Sequence, residues 1–171
     1  MFRLALLSSL LTASLAFAGW TQEGAGSATF DAKGTVGLKI HGEARKVAVA
    51  DDGKNLSVTV KIADVDTDNG LRNSHMAEDM EATKYPDIVL TVPLAAIKLE
   101  DGAGGTAKGT FTLHGKSKEV PFKYTVSCKG ACTVDGSADL NLKDFDVKIR
   151  SYLGVTVKPD ITVGAKFTIK K

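Results

Sequence analysis

The feature that most constrains the fold is a repeated alternation of apolar and polar residues. In Leu56-Ser-Val-Thr-Val-Lys-Ile62, every second residue is aliphatic and the residues between them are polar. The same period of two recurs in segments 36–40, 88–92, 97–99, 110–114, 120–126, 134–142, 145–149 and 161–169. Successive side chains of a strand point to opposite faces, so the pattern predicts antiparallel strands with one buried face. We expect roughly eight to ten strands in an all-β sandwich or closed barrel.

One stretch interrupts these predicted strands. Residues 63–90 begin with an acidic loop that contains Asn69-Gly70, and about ten residues of helical spacing follow. The helical spacing ends at Tyr85-Pro86, because the residue before a proline is biased away from helical conformation. The alternation resumes at Ile88. We therefore predict one short helical insert, which could serve as a plug, a lid or a brace.

The N-terminus has the features of a secretory signal sequence. A basic start at Met1-Phe-Arg3 precedes an apolar run from Leu4 to Phe17, and Ala16-Phe-Ala18 offers the small residues that a signal peptidase recognises. We expect residues 1–18 to be cleaved from an exported protein; an uncleaved membrane anchor is the alternative interpretation. The remaining 171 − 18 = 153 residues, 19–171, suit a single domain with a sizeable core.

The two cysteines are predicted to form a disulfide. Export to an oxidising space favours a bond between Cys128 and Cys132. Pairing residues whose numbers sum to 260 gives a hairpin in which Cys128 faces Cys132 across residues 129–131. The same register pairs Val126 with Val134, Tyr124 with Gly136, Phe122 with Ala138 and Val120 with Leu140. A redox-active pair is the alternative, but such pairs usually stand two residues apart at a helix start.

The charged residues favour neither nucleic acid binding nor catalysis. The 22 basic and 20 acidic side chains are dispersed along the chain with no basic stripe, which argues against nucleic acid as a partner. We predict that His41 and His114 are exposed turn residues. His75 has Glu78 and Asp79 on its helical face, but one histidine with flexible acids is a weak metal site. We therefore expect no catalytic residue, no metal and no cofactor.

Several motifs carry a family resemblance. They are Asp66-Thr-Asp-Asn69, Arg72-Asn-Ser-His75-Met76, Tyr85-Pro-Asp-Ile88, the segment Gly109-Thr-Phe-Thr-Leu-His-Gly115 and the segment Gly154-Val-Thr-Val-Lys-Pro-Asp-Ile-Thr-Val163. In this order they resemble the YceI-like family of bacterial periplasmic polyisoprenoid-binding proteins, over most of residues 19–171. The resemblance implies a lipocalin-like antiparallel barrel of about eight strands. It also implies an apolar tunnel that holds an isoprenoid or another lipid-like amphiphile, and a location in the periplasm.

Apolar residues of the strands and of the insert are expected to line this tunnel. The ligand-binding candidates are Leu38, Ile40, Val58, Val60, Ile62, Leu71, Met76, Met80, Tyr85, Ile88, Leu90, Phe111, Phe122, Phe145 and Phe167. Arg72, Asn73 and His75 are predicted either to hold a polar head group at the tunnel mouth or to brace the insert. Two positions depart from the family pattern: Asn73 replaces the usual Asp, and Met80-Glu81 stands where aromatic residues are frequent.

Three functions are compatible with this pattern. The first is a carrier for a long apolar amphiphile, monomeric or homodimeric, with a transient membrane partner. The second is a ligand-free structural or interaction module whose phenylalanines pack the barrel solid. The third is an enzyme centred on His75, which the absence of a catalytic set disfavours. A continuous internal cavity would favour the carrier, whereas normal packing density would exclude it.

Overall fold

The alternating segments form one antiparallel sheet. The computed structural model describes residues 19–171, and the predicted signal sequence, residues 1–18, lies outside the described residues. The strands are β1 (Thr21–Gly34), β2 (Lys39–Ala44), β3 (Ala48–Asp51), β4 (Asn55–Lys61), β5 (Val65–Asp66), β6 (Asp87–Pro93), β7 (Gly104–Leu113), β8 (Lys116–Lys129), β9 (Ala131–Asn141), β10 (Ser151–Tyr152) and β11 (Val155–Lys170). The predicted insert is helix α1 (Gly70–Asp79). The all-β class with one short helix is confirmed.

The sheet curls into a half-barrel with an apolar inner face. Its strands are ordered β3-β4-β6-β7-β8-β9-β11-β1-β2-β5, and β10 pairs with β11. Buried side chains alternate along the long strands, as in β8, where Val120, Phe122, Tyr124 and Val126 are buried and the residues between them are exposed. No helix in the described ranges is long and apolar enough to span a bilayer.

The two ends of the half-barrel differ. At one end, which we name the closed end, the side chain of Gln22 joins β1 to β3 and to Val47, the residue that precedes β3. Its Nε2 donates to the carbonyl of Val47 at 2.7 Å, and its Oε1 accepts from the amide of Val49 at 2.8 Å. The amide of Trp20 also donates to Asp51 at 2.8 Å. The opposite end, which we name the helix end, carries α1 and the connections β1–β2 and β9–β11.

The register of the β8–β9 hairpin is confirmed at its tip. Val126 pairs with Val134 and Cys128 with Cys132, and the two cysteines form a disulfide at the closed end. The pairing between these strands stops at Lys123 and Ser137. The two further pairs predicted in this register, Phe122 with Ala138 and Val120 with Leu140, are therefore not formed as ladder pairs.

Strand β1 was not predicted, and Val36, in the turn that follows it, was wrongly assigned to a strand. Residues 21–34 contain one large apolar side chain, Phe30, so they lack the aliphatic alternation that marks the other strands. Gly and Ala occupy most of the remaining apolar positions. Val36, predicted to lie on a strand, sits in a 3₁₀ turn (Thr35–Gly37) with φ 56°. It is 89% exposed, because β1 ends at Gly34 and β2 begins at Lys39.

Two other predicted strands are irregular. Residues 142–145 form a 3₁₀ turn, and Asp146 follows in a left-handed conformation, so segment 145–149 is not a strand. Segment 97–99 follows another 3₁₀ turn, Leu94–Ala96, and also makes no ladder. Both segments alternate over only two or three apolar residues. That pattern fits equally a connection that packs apolar side chains against the end of a sheet.

Candidate functional site

A large apolar cavity lies inside the helix end. Its volume is about 730 Å³, within the range of known small-molecule sites. We name it the outer cavity. It lies between α1, strands β1, β2 and β11, and the connection that follows β9. Its apolar lining residues are Phe30, Ala32, Leu38, Ile40, Ile62, Val65, Leu71, Met76, Met80, Ile88, Leu113, Leu140, Leu142, Val147, Ile149, Val155, Val157, Ile161 and Val163.

A smaller space, the inner cavity, continues towards the closed end. Its volume is about 100 Å³, and Ile88 and Val163 line both spaces. The lining is almost entirely apolar. The hydroxyl of Tyr124, one of its polar groups, accepts a hydrogen bond from the amide of Lys98 at 3.0 Å. Together the two cavities follow the inner face of the sheet from the helix end inwards.

Small residues on three adjacent strands leave this space empty. Ala28 on β1 pairs with Ala165 on β11, which pairs with Gly136 on β9. Ala138 pairs with Val163 in the same way. All of these residues line the inner cavity. Sequence reasoning missed Ala28, Gly136, Ala138 and Ala165 because it selected large apolar residues. The available signal was the Ala and Gly residues at inward positions of long strands.

The structure brings all but two of the expected tunnel residues to these cavities. The outer cavity receives Leu38, Ile40, Ile62, Leu71, Met76 and Met80; the inner cavity receives Val58, Val60, Leu90, Phe111, Phe122 and Phe167; Ile88 lines both. Tyr85 and Phe145 lie elsewhere. The Tyr85 ring packs edge-on against His114, with centroids 5.4 Å apart, over the β7–β8 turn. Phe145 is 0% exposed and packs into the core below the helix end.

The three polar candidates in the insert divide between two roles. Arg72 and His75 line the outer cavity. Arg72 Nη1 donates to the carbonyl of Thr67 at 3.1 Å, and His75 makes no hydrogen bond to the described residues. Asn73 lies outside both cavities: its Oδ1 accepts from the Thr67 hydroxyl at 2.6 Å, and its Nδ2 donates to Asp66 at 2.8 Å. Asn73 therefore braces the loop before α1.

The hydrogen bond from Asn73 also affects the charge state of Asp66. The Asn73 amide, followed by the backbone amide of Asp68, holds the pKa of the Asp66 carboxyl below its ordinary value. Both donors favour the ionised form. The loop thus keeps a negative charge whose hydrogen bonds are supplied from within the insert.

Helix α1 is fastened at both ends. The side chain of Asn69 caps its start by accepting from the amide of Arg72 at 3.0 Å. Near its last residue, Arg150 binds Asp79 through Nε at 2.8 Å and Nη2 at 2.9 Å, and Nη2 also reaches Glu78 at 3.1 Å. These carboxylates, Asp79 first, raise the pKa of Arg150 above its ordinary value. Sequence reasoning missed Arg150 because it placed the preceding segment in a strand.

The histidines differ from expectation in two respects. His41 is exposed as predicted, with Nδ1 2.9 Å from Asp31, but it lies within strand β2 and not in a turn. His114, predicted to be exposed, has a side chain only 13% exposed and bonds the carbonyl of Phe145 at 3.0 Å. The ring of Tyr85 covers the turn that carries it. Within residues 19–171, no group of three or more histidine, cysteine or acidic side chains could hold a metal ion.

Comparison with known sequences identifies related proteins. The pattern of the YceI-like domain matches residues 13–169. UPF0312 proteins of Pseudomonas putida strains W619 and GB-1 are 28% and 27% identical over 121 residues. These alignments cover 66% of this chain and 62% of each relative, so the chain spans less than two thirds of the length of these curated relatives.

Solved structures share the fold. A polyisoprenoid binding domain from Saccharophagus degradans, implicated in plant cell wall breakdown, superimposes with a TM-score of 0.70 at 12% identity, over 88% of this chain and 97% of that one. Burkholderia cenocepacia BcnA gives 0.69 at 19% identity, over 84% and 95%. The YceI protein of Campylobacter jejuni gives 0.55 at 25% identity, over 74% and 81%.

Proposed function

The chain belongs to the YceI-like family, and we propose that it binds and carries a long apolar amphiphile of the polyisoprenoid class. The observation that carries this proposal is the pair of adjoining apolar cavities, about 730 and 100 Å³ in volume. An acyl or isoprenoid chain gains about 0.8 kcal/mol for each methylene it buries. The structural neighbour from Saccharophagus degradans, a polyisoprenoid binding domain, supports the same ligand class.

The polar end of the ligand would stay at the helix end. Arg72 uses one N–H group to bond the carbonyl of Thr67, and His75 has no hydrogen-bond partner among the described residues. Both side chains line the outer cavity and can therefore form hydrogen bonds with a ligand there. A carbonyl, hydroxyl or phosphate head group would accept from them. The apolar tail would then extend past Ile88 and Val163 towards the closed end.

The two alternative functions receive less support. A barrel packed solid by its phenylalanines would leave no space of this volume along the sheet axis. An enzyme centred on His75 would need a second group positioned to exchange a proton with the imidazole, and the described residues supply none within hydrogen-bond distance. We propose a binding protein located in the periplasm, as a monomer or homodimer.

The direct test is to purify the protein from its native host and extract it with organic solvent. Mass spectrometry of the extract should show an apolar molecule in stoichiometric amount. Val163→Trp places a large ring where the two cavities meet, so this variant should retain less of the molecule or only shorter homologues. Thr162→Trp is the matched control, because Thr162 is exposed on the opposite face of the same strand.

Two results would overturn the proposal. One is a repeatedly empty extract from protein purified without detergent. The other is equal retention by the Val163→Trp and Thr162→Trp variants, because ligand held outside the cavities would be indifferent to a ring placed between them.

A further inference from the structure

Exposed apolar side chains are concentrated at the helix end. Among the described residues, three large hydrophobic side chains are mostly exposed: Val36 at 89%, Leu153 at 85% and Leu71 at 68%. Val36 lies in the β1–β2 connection and Leu153 in the β10–β11 connection. Leu71, in the first turn of α1, lines the outer cavity. Single exposed apolar residues are ordinary on a protein surface, so their grouping at one end acquires a meaning only together with the backbone and charge around them.

The two connections are held side by side. The hydroxyl of Thr35 accepts from the amide of Thr156 at 2.9 Å and donates to the carbonyl of Gly154 at 3.4 Å. Gly34 and Val157 are paired at the ends of β1 and β11. The side chains of neighbouring residues in these connections line the outer cavity, so the exposed pair stands beside its mouth.

The tips of the two connections, Val36 and Leu153, have a backbone conformation that disfavours a valine or a leucine. Val36 has φ 56° and Leu153 has φ 47°, in the left-handed region that Gly and Asn adopt more readily. An apolar side chain in an exposed turn contributes no packing to the core, and an Asn or Gly at the same position would relieve the backbone strain. A strained, exposed and apolar residue at both tips therefore indicates a role outside folding.

Lysines surround the tips. Lys33 and Lys39 are paired across β1 and β2 and flank the Val36 turn, and Lys158 lies on the adjacent strand β11. All three are exposed, and none has an ion-pair partner among residues 19–171. Two carboxylates lie close by and keep their charge: Asp31, whose Oδ1 is 2.9 Å from His41, and Asp160, which accepts from an asparagine at 2.7 Å. The surface therefore presents two apolar side chains beside three lysines that have no ion-pair partner among the described residues.

We propose that the helix end docks on an anionic lipid bilayer. Val36 and Leu153 would enter the boundary between head groups and acyl chains, while the three lysines contact lipid phosphates. Single projecting side chains suit a fluid, charged layer better than a flat protein partner. Because this surface borders the mouth of the outer cavity, the inference deepens the proposed function by naming where cargo is exchanged.

Co-sedimentation with vesicles tests the surface. The protein should bind vesicles of equal parts phosphatidylglycerol and phosphatidylcholine, and bind phosphatidylcholine alone weakly. The variant Val36→Asn with Leu153→Asn should lose about tenfold or more in affinity for the anionic vesicles, given the value of buried side chains at the interface. Its thermal stability should stay equal or rise, because Asn tolerates left-handed backbone.

The charge contribution has a matched control. Removing Lys33, Lys39 and Lys158 together, each changed to Ala, should weaken binding about a hundredfold at low salt, since each lysine near the membrane contributes about fivefold. Changing Lys54, Lys98 and Lys129 to Ala removes three exposed lysines at the closed end and should leave binding nearly unchanged.

Three outcomes would overturn the docking proposal: no binding to anionic vesicles, equal losses in the two lysine sets, or Asn variants that bind normally. A tip-dependent change in oligomeric state with no vesicle binding would assign the surface to a protein partner instead. Solvent extraction of the same samples keeps the two proposals separate. An empty extract with tip-dependent vesicle binding rejects the cargo but not the docking surface.

Discussion

At the scale of single residues, Asn73 shows what a side-chain amide does that a carboxylate would not do. Its side chain accepts from Thr67 through the oxygen and donates to Asp66 through the nitrogen. The Asp that the family resemblance leads one to expect at this position could perform the first task but not the second. The amide therefore joins two neighbours that a carboxylate would not join in the same way.

The first prediction follows from that geometry. Asn73→Asp should destabilise the protein at neutral pH more than Asn73→Ala does, because it sets a second carboxylate against Asp66 at hydrogen-bond distance. Urea unfolding at neutral pH measures both variants. Equal unfolding free energies for the two variants would contradict the prediction.

The second prediction concerns pH. The folded-state pKa of Asp66 is lowered, mainly by Asn73, so its contribution to stability is present above the unfolded pKa of about 3.9 and is lost as pH falls through the folded value. The stability difference between wild type and Asn73→Ala should therefore shrink in acid. Thr67→Val is the control: it removes the hydroxyl contacts to Asn73 and to the carbonyl of Asn69 but leaves the donor to Asp66, so its cost should not depend on pH.

The third prediction concerns Gly42 on β2. A Cβ at this position would lie 2.2 Å from the ring of Phe30, which crosses from the paired strand and lines the outer cavity. Gly42→Ala should cost about 1–3 kcal/mol of unfolding free energy, because the ring has to move. Gly70→Ala, with no atom near its Cβ, should change stability by less than about 0.5 kcal/mol. Similar shifts in both variants would show that the contact with Phe30 is unimportant.

At the scale of elements, α1 closes part of the outer cavity and is held by Arg150. The guanidinium binds both Asp79 and Glu78, so the end of the helix is tied to a residue 71 positions beyond Asp79 in the chain. An arginine stays charged throughout the pH range in which the protein is folded, and the two carboxylates raise its pKa further. The helix is thus fastened by charge, and the ion pair between Asp79 and Arg150 itself forms part of the wall of the outer cavity.

The fourth prediction tests this fastening. Arg150→Ala should speed hydrogen exchange of the α1 amides several-fold and shorten the retention of bound cargo, because the last turn is released. Exchange mass spectrometry and timed solvent extraction measure the two effects. Lys118→Ala is the control, since it removes an ion pair with Asp144 away from α1. Unchanged α1 exchange in Arg150→Ala would show that apolar packing alone holds the helix.

How well each element could be predicted depended on the size of its side chains. Segments such as β4 and β8 alternate large aliphatic or aromatic residues with polar ones, and periodicity alone identified them. Strand β1 has Gly and Ala where those strands have Val or Phe, so its alternation is invisible although it pairs with two neighbours. Segment 145–149, after β9, alternates apolar and polar residues but is not a strand. Its apolar residues are spaced in this way because they pack against the end of the sheet.

The same physical reason limited prediction of the site. Large apolar residues such as Phe111 and Ile88 could be assigned to the interior, but a cavity is made by residues that are small, such as Gly136 and Ala165. The fastening of α1 by Arg150 could not be predicted, because the contact joins segments far apart in sequence. Periodicity shows on which face of a strand a side chain lies, but it does not show whether the space across from that side chain is filled or empty.

At the scale of the whole molecule, the disulfide and the cavity mouth lie at opposite ends. The fifth prediction is that reducing Cys128–Cys132 lowers the unfolding free energy by about 2 kcal/mol, the value expected for so short a loop. Cargo retention should not change, because the bond lies at the closed end. Urea unfolding with and without reductant, followed by extraction of the folded samples, measures both quantities. Loss of cargo on reduction would contradict the separation of the two ends.

The hydrogen bonds from Gln22 on β1 to Val47 and Val49 at β3 have a consequence for the path of the proposed cargo. Because the base of the half-barrel is joined there, a cargo chain of the proposed kind would enter and leave by the helix end. The end inserted first would leave last. Donor and acceptor would then handle the same terminus of the molecule, and its direction would be preserved between them. A chain too long for the interior would keep its surplus at the helix end.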